Sequence, residues 1–157
     1  MSEEYMPWSA DLSVGLQEID EQHKVLVSLI NRLFNEAVLK SPDRDIVSNI
    51  LNELVQYTII HFSVEESLFR IFDYPDGEVH QDHHEKLKQE VMKIQKKFLE
   101  GQVIDLELMR FLRQWLKQHI MVEDKKYTPF FLATGIQANW SKQKSWVGKL
   151  WDSIYLK

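Results

Sequence analysis

Five of the six histidines in this chain fall on the apolar stripes of helical stretches, and that coincidence constrains the fold more than any other feature. From about Gln17 to Leu39, Ile19, His23, Leu26, Ile30, Leu33 and Ala37 recur three and four residues apart, the period of one face of an α-helix. A second stretch, about 44–72, repeats the pattern with Val47, Leu51, Leu54, Thr58, His61, Glu65 and Leu68. A third, about 78–99, carries His80, His84, Leu87, Val91, Ile94 and Phe98. The fourth, about 104–127, carries Leu108, Leu112, Trp115, His119 and Val122. Breaks at Ser41-Pro42-Asp43, Tyr74-Pro75-Asp76-Gly77 and Gly101-Gln102 separate them, with Ser41 or Asp43 available to cap the second helix. Four helices with one apolar stripe each and short connections predict an all-α, antiparallel up-down-up-down bundle. Residues 1–15 form an ordered lead-in packed through Trp8.

The run His80 to Lys86 shows how the stripe sorts its polar residues. At about 100° per residue, His80 and His84 lie some 40° apart on the apolar face. His83 falls with Lys86, Glu90, Lys93 and Lys97 and is expected to point outward. A single inward histidine is an ordinary core residue bonded to a carbonyl. Five of them with the inward Glu65 are not, because each buried polar group lacking a partner costs about 1–3 kcal/mol. A metal centre satisfies all of them together. The pairs His61/Glu65 and His80/His84 are four apart, so each pair stacks one turn apart and reaches one ion. On the fourth helix spacing leaves a choice. Glu123 is four residues after His119, whereas Asp124, five after it, lies about 140° round an ideal helix. A π-bulge or overwinding at the helix end would bring Asp124 inward instead.

Composition closes off other classes. A net charge of −5 argues against nucleic acid as a partner. Without cysteine there are no disulfides, thiolate metal sites or iron–sulfur clusters. No apolar run reaches the roughly 18–20 residues of a membrane span, and the opening MSEEYMPWSADL lacks the pattern of a signal peptide, so a cytoplasmic protein is expected.

The runs IDEQHK (19–24), HFSVEE (61–66), YPDGEVHQDHH (74–84) and WLKQHIMVED (115–124) resemble the hemerythrin family, specifically its single-domain bacterial members. The family pattern is a lone His, then HxxxE, HxxxH and HxxxxD, and this chain matches it at His23, His61, Glu65, His80, His84, His119 and Asp124. The resemblance spans about residues 8–127 and puts Asp124 ahead of Glu123. It implies a non-haem di-iron centre with a bridging oxo or hydroxo group that binds O2 reversibly. By that analogy His80, His84 and His119 hold one iron, His23 and His61 the other, and Glu65 and Asp124 bridge. Five imidazoles, two bridging carboxylates and one bridging oxygen fill all but one position of two six-coordinate irons, and O2 takes the remaining one. The resemblance also assigns an O2 pocket to Leu26, Phe62, Trp115, Leu116 and Ile120. Glu66 reads as a surface residue, a role behind the ligands being the alternative.

These features predict O2 storage, transport or delivery rather than catalysis, in a protein expected to be a monomer. The alternatives are an O2 or redox sensor, or a di-iron peroxidase or oxidase; no evident acid or base in the pocket supports the latter. The bundle is expected to occupy residues 1–129. Residues 130–157 extend past the point where the resemblance stops. There Val147, Leu150, Trp151 and Ile154 suggest an amphipathic helix. Four lysines against Asp152 give residues 133–157 a charge of +3, leaving −8 on the remainder. Such a segment either folds back on the acidic bundle or docks to a membrane surface or an oxidase partner.

Overall fold

A computed structural model describes residues 4–133 of the chain. Its long helices are α1 (Gln17–Phe34), α2 (Arg44–Ile71), α3 (Gly77–Leu99) and α4 (Leu106–Gln118), followed by a short α5 (Thr128–Ala133). The expected extension lies, from residue 134 onward, outside the described residues. No helix among the described residues is long and apolar enough to cross a membrane.

Cross-helix pairs give the directions. His23 of α1 meets His61 of α2, while Arg32, further along α1, meets the earlier Glu53 at 3.0 Å, so the two run antiparallel. Arg44 at the start of α2 donates to the Phe98 carbonyl at the end of α3, whereas Glu66 near the end of α2 meets His84 near the start of α3. The order is up-down-up-down, as expected. Asp43 caps α2, its Oδ1 accepting from the backbone N–H groups of Asp45 and Ile46 at 3.0 and 3.3 Å. Gly101 ends α3 in the left-handed region (φ 109°), which lets the Gln102 N–H turn back to the Lys97 carbonyl at 3.1 Å.

The stripes are buried nearly as spaced. Ile19, Leu26, Ile30 and Leu33 meet Leu51, Leu54, Val91, Phe98 and Leu112 in one core. Leu68, Leu87 and Leu108 are half-buried, and Val122 alone of the stripe residues is exposed, at 46%, where the helical period had placed it inward. The cause is a π turn over His119–Glu123, which adds a residue to the turn and shifts everything after it by one position. Within the described part of the lead-in, Met6, Leu12 and Val14, with Leu16 after them, carry the packing. Trp8 is only half-buried, with the Lys24 ammonium 5.4 Å above its ring.

Candidate metal centre

The bundle brings seven polar side chains to one level of its core. His23 comes from α1, His61 and Glu65 from α2, His80 and His84 from α3, His119 and Asp124 from the π turn and the residue after it. His23, His61, Glu65 and Asp124 are fully buried, His84 and His119 are 1% exposed and His80 5%. The π turn decides the choice that spacing left open. Asp124 is the inward carboxylate, and Glu123 turns outward to pair with Lys126 at 3.4 Å.

The ligand atoms fall into two overlapping groups. His23, His61, Glu65, His119 and Asp124 offer atoms all within 4.8 Å of one another, and so do Glu65, His80, His84, His119 and Asp124. Both carboxylates belong to both groups, which is the placement a bridging carboxylate needs. Asp124 Oδ2 lies 2.9 Å from His23 Nε2 and 3.0 Å from His119 Nε2, and its Oδ1 lies 3.0 Å from His80 Nε2. Glu65 Oε1 lies 2.6 Å from His61 Nε2 and 3.8 Å from His84 Nε2.

These short distances do not amount to a closed hydrogen-bond network. Both Glu65 oxygens, Asp124 Oδ2, His84 Nε2 and His119 Nε2 are buried without a hydrogen-bond partner. Only His23 Nε2 with His61 Nε2 at 3.1 Å and His80 Nε2 with Asp124 Oδ1 at 3.0 Å make hydrogen bonds among the converging atoms, and the rest face shared space. Polar atoms left so would each cost on the order of 1–3 kcal/mol, and cations between them remove that cost. Nitrogen and carboxylate oxygen with no sulfur suit a first-row transition metal such as iron. The donor set fits the ions expected of it.

The electrostatics agree. Burial and the nearby Asp124 charge both push the Glu65 pKa up, yet the His61 and His119 rings outweigh them and hold it well below the usual carboxylate range. Burial would raise Asp124 too, but His119, His23 and His80 keep it ionised. Burial alone would lower His119; the two carboxylates overrule it and raise it to about 10. Two buried carboxylates thus demand positive charge at this spot, as a proton on His119 or as metal. By contrast burial depresses His23 and His84, the neutral form a metal ligand must have.

Several neighbours of the site were not read correctly from the sequence. Glu66 is no plain surface residue: its Oε2 accepts from His84 Nδ1 at 3.2 Å, with its side chain 16% exposed. Its position directly after Glu65, one helical step round α2, was the available signal. Gln22 was missed altogether. It is fully buried, accepts from His61 Nδ1 at 2.8 Å and donates to Glu18 Oε1 at 3.0 Å. Its place beside His23 on a polar stretch gave no warning. His83, expected to point outward, is half-buried, its ring stacked 5.8 Å from that of His119, which the π turn after α4 lays against it. Tyr127 is fully buried, and burial together with the Asp124 and Glu65 charges holds its hydroxyl protonated well above its usual range.

The five residues assigned to a pocket are all buried, Trp115 the most exposed of them at 7%. Phe62 touches three of the histidine rings. Its ring lies flat on His84 at 3.9 Å and meets the His119 ring edge-on at 5.1 Å. The indole N–H of Trp115 is buried without a partner, a polar atom in otherwise apolar surroundings.

Comparison with known proteins places this geometry. The family model described as "Hemerythrin HHE cation binding domain" matches residues 14–131. The bacteriohemerythrin of Stenotrophomonas maltophilia (strain R551-3) is 33% identical over 120 residues, covering 76% of this chain and 77% of the relative. That of Methylococcus capsulatus (strain ATCC 33009 / NCIMB 11132 / Bath) is 32% identical over 126 residues, covering 79% of this chain and 95% of the relative. A hemerythrin-like protein of Naegleria gruberi is 34% identical, covering 76% and 88%. Among solved structures, a wild-type hemerythrin crystal structure superposes with a TM-score of 0.75 at 31% identity, covering 80% of this chain and 96% of that one. The matched region contains all seven converging side chains, and the chain belongs to the hemerythrin family.

Proposed function

We propose that this protein binds O2 reversibly at a non-haem di-iron centre and serves oxygen storage, transport or delivery, without catalysing a reaction. The observation that carries this reading is the pair of overlapping ligand groups that share both carboxylates, Glu65 and Asp124, together with His119. His80, His84 and His119 would hold one iron and His23 and His61 the other, with both carboxylates and an oxo or hydroxo group bridging. When bound, a pair of ferrous ions supplies two electrons to O2 and takes them back on release.

The remaining work belongs to the chain. Its five imidazoles present neutral nitrogen, and its two carboxylates compensate part of the cationic charge in a buried site. The unequal histidine count leaves the open position on the side of His23 and His61. Leu26, Phe62, Leu116 and Ile120, with the face of Trp115, exclude water from that side and so oppose proton delivery to the bound gas. Delivery would take place in the cytoplasm. The lysine- and tryptophan-bearing residues 133–157 support docking at a membrane surface or an oxidase, and deleting them should then abolish membrane co-sedimentation or partner pull-down.

An anaerobic O2 titration with metal analysis tests the central reading. Two irons per chain are expected, with a colourless reduced protein that turns pink-red in air and reverses under vacuum. Irreversible bleaching, turnover of peroxide with an electron donor, or protein that takes up no iron would each overturn it.

A further inference from the structure

The two histidine sets differ in what stands behind them. On α2, Glu65 points into the centre, while the next residue, Glu66, reaches across to α3 and takes the Nδ1–H of His84 at 3.2 Å. His84 is gripped on a second side by Phe62, whose ring lies parallel to it within 3°. Its Nε2 faces the centre without a hydrogen-bond partner. Arg70, one turn further along α2, bonds Ser67 Oγ at 3.3 Å, leaving Glu66 to His84. The corresponding support on the other side is neutral. His61 Nδ1 meets the amide oxygen of Gln22 at 2.8 Å, and His23 Nδ1, like His119 Nδ1 in the first set, is buried without a partner.

An ionised acceptor makes a hydrogen bond roughly twice as strong as a neutral one. Behind a metal-bound imidazole it also fixes the tautomer and raises the basicity of the nitrogen that faces the metal. We propose that Glu66 is a positioning residue of the metal centre: it locks His84 with Nε2 toward the ion and makes the position served by His80, His84 and His119 more electron-rich than the one served by His23 and His61. The asymmetry favours the oxidised state at the position remote from the open coordination site. This rests on the di-iron reading above.

The test uses the full-length, iron-loaded protein and three variants: Glu66→Gln, Glu66→Leu, and Asp82→Asn as an exposed-carboxylate control. Reduction potential is read by spectroelectrochemistry, and iron retention by the rate of loss to a competing ferrous chelator. Glu66→Gln keeps a hydrogen-bond acceptor but loses the charge, so its potential should rise while retention falls only modestly. Glu66→Leu should show the same rise and lose iron about 10–100 times faster. The control should match wild type in both. If Glu66→Gln and Glu66→Leu both match wild type within about twofold, Glu66 has no such role. If Glu66→Leu loses iron while Glu66→Gln keeps the wild-type potential, the contribution is packing and the electronic asymmetry is refuted. Wild-type protein that takes up no iron removes the di-iron reading and this inference with it. Wild type that binds O2 at two irons beside unaltered variants removes the inference alone.

Discussion

His119 and Asp124 are five residues apart, yet Nε2 of one lies 3.0 Å from Oδ2 of the other. The π turn between them makes this contact, and an unbroken α-helix would have offered Glu123 instead. Replacing Asp124 by Ala should therefore drop bound iron to one ion or fewer per chain, with affinity falling more than about 100-fold, since even outer partners are worth about 10–100-fold. Replacing Glu123 by Ala should leave the stoichiometry at two. Metal analysis after desalting reads both, and equal losses from the two variants would contradict the assignment.

Loading the site should stabilise the fold. Both Glu65 oxygens, Asp124 Oδ2 and the Nε2 atoms of His84 and His119 lack hydrogen-bond partners, and cations that bind there only in the folded state act through mass action. At about 1,000 times the dissociation constant the gain is roughly 4 kcal/mol, or about 8–16 °C in Tm for a chain of this size. Differential scanning calorimetry with and without ferrous iron under argon measures it. An unchanged Tm would mean that the cluster holds no metal.

The apolar wall can be probed without changing its shape. Ile120 is fully buried, and Ile120→Val and Ile120→Thr leave side chains of nearly equal size that differ by a hydroxyl. If the wall keeps water and protons away, the oxygenated Thr variant should autoxidise several-fold faster than the Val variant, with roughly a tenfold difference as the upper expectation. Decay of the visible band at fixed temperature gives the rates. Equal rates would show that polarity at this wall does not govern the lifetime.

Metal-stripped protein should be most stable near neutral pH. The His119 pKa is raised to about 10 in the folded state, so its contribution is fully present below the usual value of about 6.5 and is lost as pH climbs toward about 10. Burial lowers His23 and His84, so protons there favour the unfolded chain and stability falls as pH drops below about 6.5. Thermal melts of the stripped protein between about pH 5 and 9.5 should thus form a dome. Substituting His119 by Gln should flatten its alkaline limb, and a limb that survives the substitution would assign it to other groups.

Much of this site was legible in the spacing because helical period and chemistry coincide on the same face. His23, His61, Glu65, His80 and His84 each sit where their stripe predicts and are buried there. Asp124 was not legible that way, since period alone cannot reveal one added residue in a turn; the same addition carried Val122 out to solvent. Resemblance to a known motif supplied what periodicity lacked. Of the supports behind the imidazoles, Gln22 escaped and the role of Glu66 stood only as the alternative to a surface residue, for another reason. They are set by how α1, α2 and α3 approach one another, and no within-helix pattern encodes that distance. His83 failed likewise, because its own helix marked it as solvated while the His119 ring of the π turn stacked on it.

The hydroxyl of Thr128 donates to the Val14 carbonyl at 2.5 Å, joining residues 114 positions apart. Gly15, next to that carbonyl, has a positive φ of 85°, and a Cβ there would stand 3.4 Å from the Thr128 methyl. This clasp follows directly on Asp124 and Tyr127, which are themselves drawn from the final stretch of the bundle. During synthesis the first three helices can assemble while their imidazoles still lack the second carboxylate and the closing clasp. On the di-iron reading, the nascent chain would complete the set of ligands for a metal pair only once almost the entire bundle has left the ribosome, so that any redox chemistry there would begin inside a closed core.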